Sequence, residues 1–428
     1  MTGGVPEFTV LGVPDMNGSI RGKALRPAAF DAAVRDGSAM TELVLALDPV
    51  DAPITVYDSI GVRSGSRDLV VRPEPETLRE MTWRPGWRIC LGTPFWQDGT
   101  TCELASRAVL RTALDAMAAT GHDVLAALEY EVRIRDRDGR PLSSGVSYSA
   151  GDIQRYDELL RALVPAIEAF GIELAAVHTE AGPGLLELNV SARPGLQAAD
   201  DAVLLKFAVK EVAASLGLTA SFLAKPAAGE EGSSGHIHLS CWAGSKNVFA
   251  PSADDHDLPG VVTAAIGGLI EHLPAASLLL NPNLNSYKRL VPGYFAPVNV
   301  SWGLDNRSAA VRVITLDAER SRIECRRPGA DANPYLAIAA LVSAMADGIS
   351  RDVPPPPAVA GDAYARQDLR SLPNSLEEAL AAFDANERFR HLIGDRFSAY
   401  FRVSRAWELT AWQHVVTDWE RARYEPSA

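Results

Sequence analysis

Apolar and polar positions along the chain follow two periods, and the change from one to the other divides it. Early on the apolar runs are short. ELVLALDP (42–49) and RDLVVRPEP (67–75) end at proline and predict strands, with the Gly/Ser-rich loop YDSIGVRSGSRD between them. From Glu103 the spacing turns helical: ELASRAVLRTALDAMAATG (103–121) repeats at i, i+3, i+4 and stops at Gly121. This places a boundary between residues 1–102 and 103–428. Beyond it strands and helices alternate. Residues 124–139 predict a strand, 156–171 a helix, and 172–191 a hairpin around Gly182-Pro183-Gly184. A helix is expected over 204–217, a strand at GHIHLSCW (235–242) and a helix over 331–350. A proline-rich connection (351–363) follows, and two or three helices finish the chain. No internal repeat is evident.

Composition narrows the class. A chain of 428 residues, 47% of them hydrophobic, can bury a core large enough for two domains. Its net charge of −13, with no basic run, argues against a nucleic-acid partner. The four cysteines, Cys90, Cys102, Cys241 and Cys325, form no CxxC pair, which favours a reducing compartment over a disulfide framework. The start, MTGGVPEFTV, lacks the basic and apolar regions of a signal peptide, so a cytoplasmic location is expected. The most apolar later segment is taken as Asn333 to Ile349. It carries Asp347, is too short to span a bilayer, and predicts a buried helix with no membrane association.

Charged residues recur at strand spacing, where i and i+2 share a face. Glu129 and Glu131 flank Tyr130, and His236 and His238 flank Ile237. Arg322, Glu324 and Arg326 alternate, and His178 and Glu180 precede Glu187 across the Gly-Pro-Gly turn. Any one pair reads equally well as the solvated face of a strand, and the Arg-Glu-Arg triplet as a salt bridge. Their neighbours, VLAAL, IELAAV and LNV, are runs of buried-strand type. Buried carboxylates are costly unless paired or bound to metal. Several carboxylates with a histidine suit hard divalent cations, and clustered arginines suit phosphate and carboxylate. Together they point to phosphoryl transfer. The competing assignment is a zinc hydrolase built on His236-x-His238. Against it, no third His or Cys lies at useful spacing, and the acids outnumber what tetrahedral zinc takes.

NPNLNSYKRLVPGYFAPVNVSWGLDNRSAAVRV (281–313) resembles the glutamine synthetase family. RIECRRPGADANPYLAIAAL (322–341) matches the same family, and EYEVRI, HTEAGPGLLEL and GHIHLS fall in its order. The resemblance covers nearly the whole chain and is weaker at the N-terminus. It implies an α+β fold: a small N-terminal β-grasp domain, then a larger catalytic domain whose curved antiparallel sheet is flanked by helices. It also implies an ATP-dependent ligase using Mg²⁺ or Mn²⁺, with glutamate, an amine and ATP as small-molecule substrates. The assembly it implies is a homo-oligomer, a dodecamer of two stacked hexameric rings with sites shared between neighbours.

By motif match, Glu131, Glu180 and Glu187 resemble ligands of the metal near the amino-acid site. Glu129, His236 and Glu324 resemble those of the metal on the ATP phosphates. Arg289 and Arg326 resemble the arginines that hold the acid substrate, and Gly232 the backbone position near its amino group. Arg307 and Arg312 resemble the pair that stabilises the transferring phosphate. His238, Ser240 and Arg322 resemble nucleotide contacts.

Departures from the family pattern gather where the amine would bind. Ammonia-using members follow the SYKRLVPGY motif with a glutamate that closes the site and helps to deprotonate ammonium; here that position is Phe295. An aromatic ring offers apolar surface instead. Of the two aspartates that line the ammonium site across the subunit interface, Asp68 matches the second, and Asp58, in a shorter loop, stands for the first. Tyr148 matches the tyrosine lining the same site. Glu231 replaces the asparagine expected before Gly232, which bears on the acid substrate. SLPNSLEEAL (371–380) carries no tyrosine for adenylylation, so that control is not expected. These features predict ligation of glutamate to an alkyl amine such as ethanolamine, another monoamine or a polyamine. Two alternatives stay open: an ammonia-using synthetase, and a non-catalytic structural or sensor relative. The latter should have lost metal ligands or phosphate arginines, and all are present. Cys325 should point away from Glu324 and Arg326 by alternation, and Trp302 should be core or substrate wall.

Overall fold

The computed structural model describes residues 6–251 and 258–427. Strand β1 (Phe8–Pro14) turns back into β2 (Ile20–Leu25) at Asp15, whose carboxylate accepts from the backbone N–H of Asn17 and Ser19, both at 2.9 Å. Helix α1 (Pro27–Asp36) crosses the sheet that β1 and β2 form with β3 (Ser38–Thr41), β4 (Asp68–Pro73), β5 (Arg79–Glu80) and β6 (Trp87–Phe95). The order is β2-β1-β6-β4-β3, with β1 and β6 parallel at the centre: a β-grasp arrangement. Residues 42–49, expected as a strand, instead begin as a 3₁₀ turn over Glu42–Leu45. The Thr41 hydroxyl accepts from Leu43 N–H, and the Glu42 side chain is buried against Ser64, so the backbone curls instead of extending.

The second sheet comprises β7 (Asp123–Arg135), β8 (Leu174–Thr179), β9 (Leu185–Val190), β10 (Arg193–Pro194), β11 (Thr219–Ser221), β12 (Gly235–Ala243), β13 (Lys246–Asn247), β14 (Trp302–Leu304), β15 (Val311–Ile314) and β16 (Arg322–Cys325). Its main path is β14-β15-β16-β12-β7-β9-β8, antiparallel except for β14 beside β15. One face is apolar: Leu128, Tyr130, Leu188, Ile237, Leu239, Ile323 and Cys325 are all buried in the core. Cys325 therefore does face away from its charged neighbours. Trp302 is buried too, its indole N–H donating to the Pro356 carbonyl at 2.6 Å.

The helices are α2 (Ser106–Ala118), α3 (Asp157–Ala169), α4 (Gly195–Ser215), α5 (Gly260–Leu280), α6 (Leu284–Lys288), α7 (Pro334–Arg351), α8 (Leu376–Ala385), α9 (Glu387–Leu392), α10 (Asp395–Gln413) and α11 (Asp418–Tyr424). Helix α4 starts well before the expected residue 204. Pro194 and Gly195 look like breakers in sequence, but Pro194 is the N-cap and Gly195 the first helical residue, packed against Leu114. Four helices follow residue 375, more than expected, because Asn386 and Gly394 cap new starts instead of ending the helical region.

The most apolar helix is α5, not the 333–349 segment. It is long and apolar enough to cross a membrane, yet most of it is buried against α7 and α8. Glycines let α5 and α7 touch: a Cβ on Gly268 would lie 2.1 Å from the Ala344 carbonyl oxygen. The core runs without a break between the two sheets. Polar clasps reinforce it: Arg107 reaches Asp200 at 3.0 Å and Glu74 at 2.9 Å, and Asn333 donates to the Asp15 carbonyl at 2.9 Å.

Candidate active site

The polar face of the second sheet carries one continuous row of ionisable side chains. Register builds it. His178 lies opposite Glu187, and Glu187 opposite Glu131. Glu129 lies opposite His236, His238 opposite Glu324, and Glu324 opposite Arg312. Cross-strand partners share a face, so six strands contribute to a single wall.

At one end, Glu324 is fully buried between arginines. Arg312 meets it at 2.9 Å, Arg326 pairs with its other oxygen, and Asp305 holds Arg312 from behind at 2.9 Å. Burial opposes ionisation of Glu324, but Arg326 and the two histidines outweigh it and hold the carboxyl down at about 2. Glu129 is likewise held well below the carboxylate range, because His236 and His238 outweigh its burial. His236 Nδ1 lies 3.5 Å from Glu324 and 3.8 Å from Glu129. Burial, and then Arg326, push His236 down to about 4, so it is a neutral imidazole. Arg322 Nε donates to His238 Nδ1 at 3.1 Å, and Ser240 accepts from the Trp242 indole N–H at 2.9 Å.

At the other end no arginine pairs directly with Glu131 or Glu187 among the described residues. Burial pushes Glu131 up to about 7 despite a 2.7 Å bond from the Ser234 N–H. Glu187 is pushed up to about 7 as well, by burial and then by Glu131 and Glu129. His178 bonds Glu180 at 3.0 Å, lies 3.6 Å from Glu187, and is itself covered by the Tyr148 ring stacked at 4.2 Å.

Above the row, Arg289 is buried. It donates to Ser234 Oγ at 3.2 Å and to the carbonyls of Arg327 and Pro328 at 2.6 and 3.0 Å. Its stem crosses Gly232, where a Cβ would come within 2.2 Å, so only glycine fits. The Glu231 carbonyl accepts from Arg133, and the Glu231 carboxylate lies beside Gly182. Arg326 Nε donates to the Arg307 carbonyl at 3.0 Å, while the Arg307 side chain is exposed. Arg307, Asp305, Leu304, Val359, Tyr364 and Phe295 line an open cleft of about 690 Å³. Phe295 has a left-handed backbone (φ 53°) and is 60% exposed.

The sequence profile of the glutamine synthetase catalytic domain matches residues 103–424. The chain belongs to the glutamine synthetase family. It is 33% identical to a glutamate–isopropylamine ligase of a Pseudomonas species, covering 97% of this chain and 94% of that one. It is also 33% identical to the γ-glutamylethanolamide synthetase GlnA4 of Streptomyces coelicolor, over 97% and 92%. A solved GmaS/ADP complex superposes with a TM-score of 0.87 at 26% identity, over 99% of this chain and 97% of that one. The protein is thus an ATP-dependent ligase of this family, whose members use ATP and a divalent metal.

The donor set fits hard divalent cations. Within the row, two groups bring possible ligand atoms together: Glu129, His238 and Glu324, and His178, Glu180 and Glu187; a third, Glu271, His272 and Asp347, lies away from it. The first takes in His238, which the sequence placed at the nucleotide, as its tightest histidine; His236 stands beside it. The Nε2 atoms of His236 and His238 are buried with no hydrogen-bond partner, although His238 Nε2 lies 2.9 Å from Glu129. Carboxylates crowded on one face beside imidazole nitrogens are what a divalent metal would satisfy.

Two expected residues stand elsewhere. Asp68 lines a separate cleft with Glu42, Arg67, Trp96 and Arg396, and Asp58 is exposed and paired with Arg63 at 2.5 Å. Neither touches the row. Conversely, Asp305 and Tyr364 have no role in the sequence reading, and His178 enters it only as one of the charged pairs that suit a cation. His178 had a signal, its spacing of two from Glu180. Asp305 and Tyr364 had none, because loops bring them to the site.

Proposed function

We propose that the protein joins the side-chain carboxylate of glutamate to a compact alkyl amine, cleaving ATP to ADP and phosphate through a γ-glutamyl phosphate. The observation that carries the amine is the cleft at Phe295. An aromatic ring, with Leu304 and Val359, stands where ammonia-using members place a carboxylate. Two relatives named for isopropylamine and ethanolamide products support the same substrate class.

Arg289 and Arg326 orient the acid. A carboxylate oxygen attacks the γ-phosphorus, ADP leaves, and Arg307 and Arg312 face the charge on the transferring group. The amine nitrogen then attacks the acyl carbon and loses a proton as phosphate departs. Glu131, Glu180 and Glu187 would hold one Mg²⁺ or Mn²⁺, with His178 beside them. Glu129, His236 and Glu324 would hold a second, with His238 and Arg322 toward the nucleotide. When bound, the cations supply charge neutralisation around the phosphates.

The amine approach is completed by Tyr148 and, from a neighbouring subunit, by Asp68 and Asp58. That assignment makes the protein a ring-forming homo-oligomer, a dodecamer, and it accounts for two acids that meet no partner in their own chain's row. Four free, buried cysteines agree with a reducing, cytoplasmic setting.

An amine panel tests this. With ATP, Mg²⁺ and glutamate, a small alkyl amine should release phosphate with a kcat/KM at least about tenfold above that for ammonium, a difference of ~1.4 kcal/mol in transition-state binding. Ammonium as the best acceptor would overturn it.

A further inference from the structure

Tyr364 places a free hydrogen-bond donor at the cleft of Phe295 and Arg307. Its hydroxyl is buried and has no hydrogen-bond partner among the described residues. A buried hydroxyl left unpaired is unfavourable, and native proteins rarely keep one without use.

The residue is held there deliberately by its loop. Asp362 accepts from the Tyr364 N–H at 2.9 Å, and Ser308 Oγ accepts from the Ala363 N–H at 2.9 Å. Asn299 donates to the Ala363 carbonyl at 2.7 Å, and Asn306 donates to the Gly361 carbonyl at 2.8 Å. Four polar side chains thus fix the segment that presents the ring. The ring lines the same cleft as Phe295 and Arg307, and the charges of Arg326 and Arg289 reach the phenol.

We propose that Tyr364 is a substrate-binding residue: its hydroxyl donates to a carboxylate oxygen of the acid held by Arg289 and Arg326, while its ring walls the adjoining amine cleft. The hydroxyl is the donor in this contact and the substrate oxygen the acceptor, so no proton changes hands. Burial pushes the phenol up to about 12, which keeps it protonated at neutral pH. The inference rests on the assignment of Arg289 and Arg326 to the acid.

The test compares wild type, Tyr364→Phe and Arg326→Lys, with Mg²⁺ present. KM values for glutamate, ATP and amine are measured, together with Tm in the absence of substrates. Tyr364→Phe removes a group that has no partner in the free protein. Its Tm should equal or exceed that of wild type, and its KM for glutamate should rise at least about tenfold, as for a lost bond to a charged group. KM for ATP and amine should stay within about twofold. A lower Tm, or KM values that rise together for all three substrates, would mark a structural role and overturn the proposal. An unchanged KM for glutamate in Tyr364→Phe, with a raised one in Arg326→Lys, would overturn the proposal alone. No change in either variant would overturn the acid site itself.

Discussion

The two ends of the ionisable row are built from the same residue type and arrive at opposite electrostatic states. At the Glu324 end, Arg312 and Arg326 pair with Glu324 and His238 reaches Glu129 at 2.9 Å, and both carboxylates are held below the ordinary carboxylate range. At the Glu131 end, Glu187 faces Glu131 across the ladder with no cation between them, and both are pushed up to about 7. The first end is an ion-pair network that a metal would join. The second is a crowd of carboxylates with His178 as its one basic side chain among the described residues, which a metal would complete. A binding site can therefore be a stabilising feature at one edge and a destabilising one at the other.

The largest consequence belongs to the paired end. Glu324→Ala leaves Arg312 and Arg326 facing a buried void, and stability should fall by about 3–5 kcal/mol, the usual result of removing one member of a buried pair. Urea denaturation of the metal-free protein measures this, and a loss below ~1 kcal/mol would remove the distinction between the ends. At the unpaired end the sign reverses. Glu131→Gln removes a repelling charge while its oxygen still accepts from Ser234. The metal-free variant should melt no lower than wild type at pH 8, yet bind Mn²⁺ about 100-fold more weakly.

The smallest effect is graded with pH. Glu131 and Glu187 bind protons in the folded state that the unfolded chain releases near 4.5. The stability of the metal-free protein should therefore fall as pH rises from about 4.5 to 7, and bound metal should reverse that slope. Mn²⁺ affinity at this end should weaken about tenfold per pH unit below 7 for each proton displaced. Affinity at the Glu324 end, already ionised, should stay nearly flat over that range. Calorimetric titration at pH 5.5, 6.5 and 8 separates the two, and parallel slopes would refute the comparison.

Much of the row is legible in sequence because a strand has period two. Glu129 and Glu131, or His236 and His238, share a face whatever the strand pairs with. Their cross-strand partners are not legible. That Glu129 meets His236, and that His238 meets Glu324, depends on register, which joins residues about a hundred positions apart. Local signals also misled where packing overrode them. Pro194 and Gly195 start a helix, and residues 42–45 curl because Glu42 is buried.

The sequence by itself determined the family, the alternation that presents acids and arginines on one face, and the replacement of a carboxylate by Phe295. Those are properties of residue type and spacing, which survive without coordinates. The tertiary structure decided which carboxylates are neutralised and which are left crowded. It also decided that Gly232 must admit the Arg289 stem, and that the Tyr364 hydroxyl, in the cleft of Phe295 and Arg307, has no partner among the described residues. Burial and proximity set those outcomes, and both belong to the packed chain, not to any segment of it.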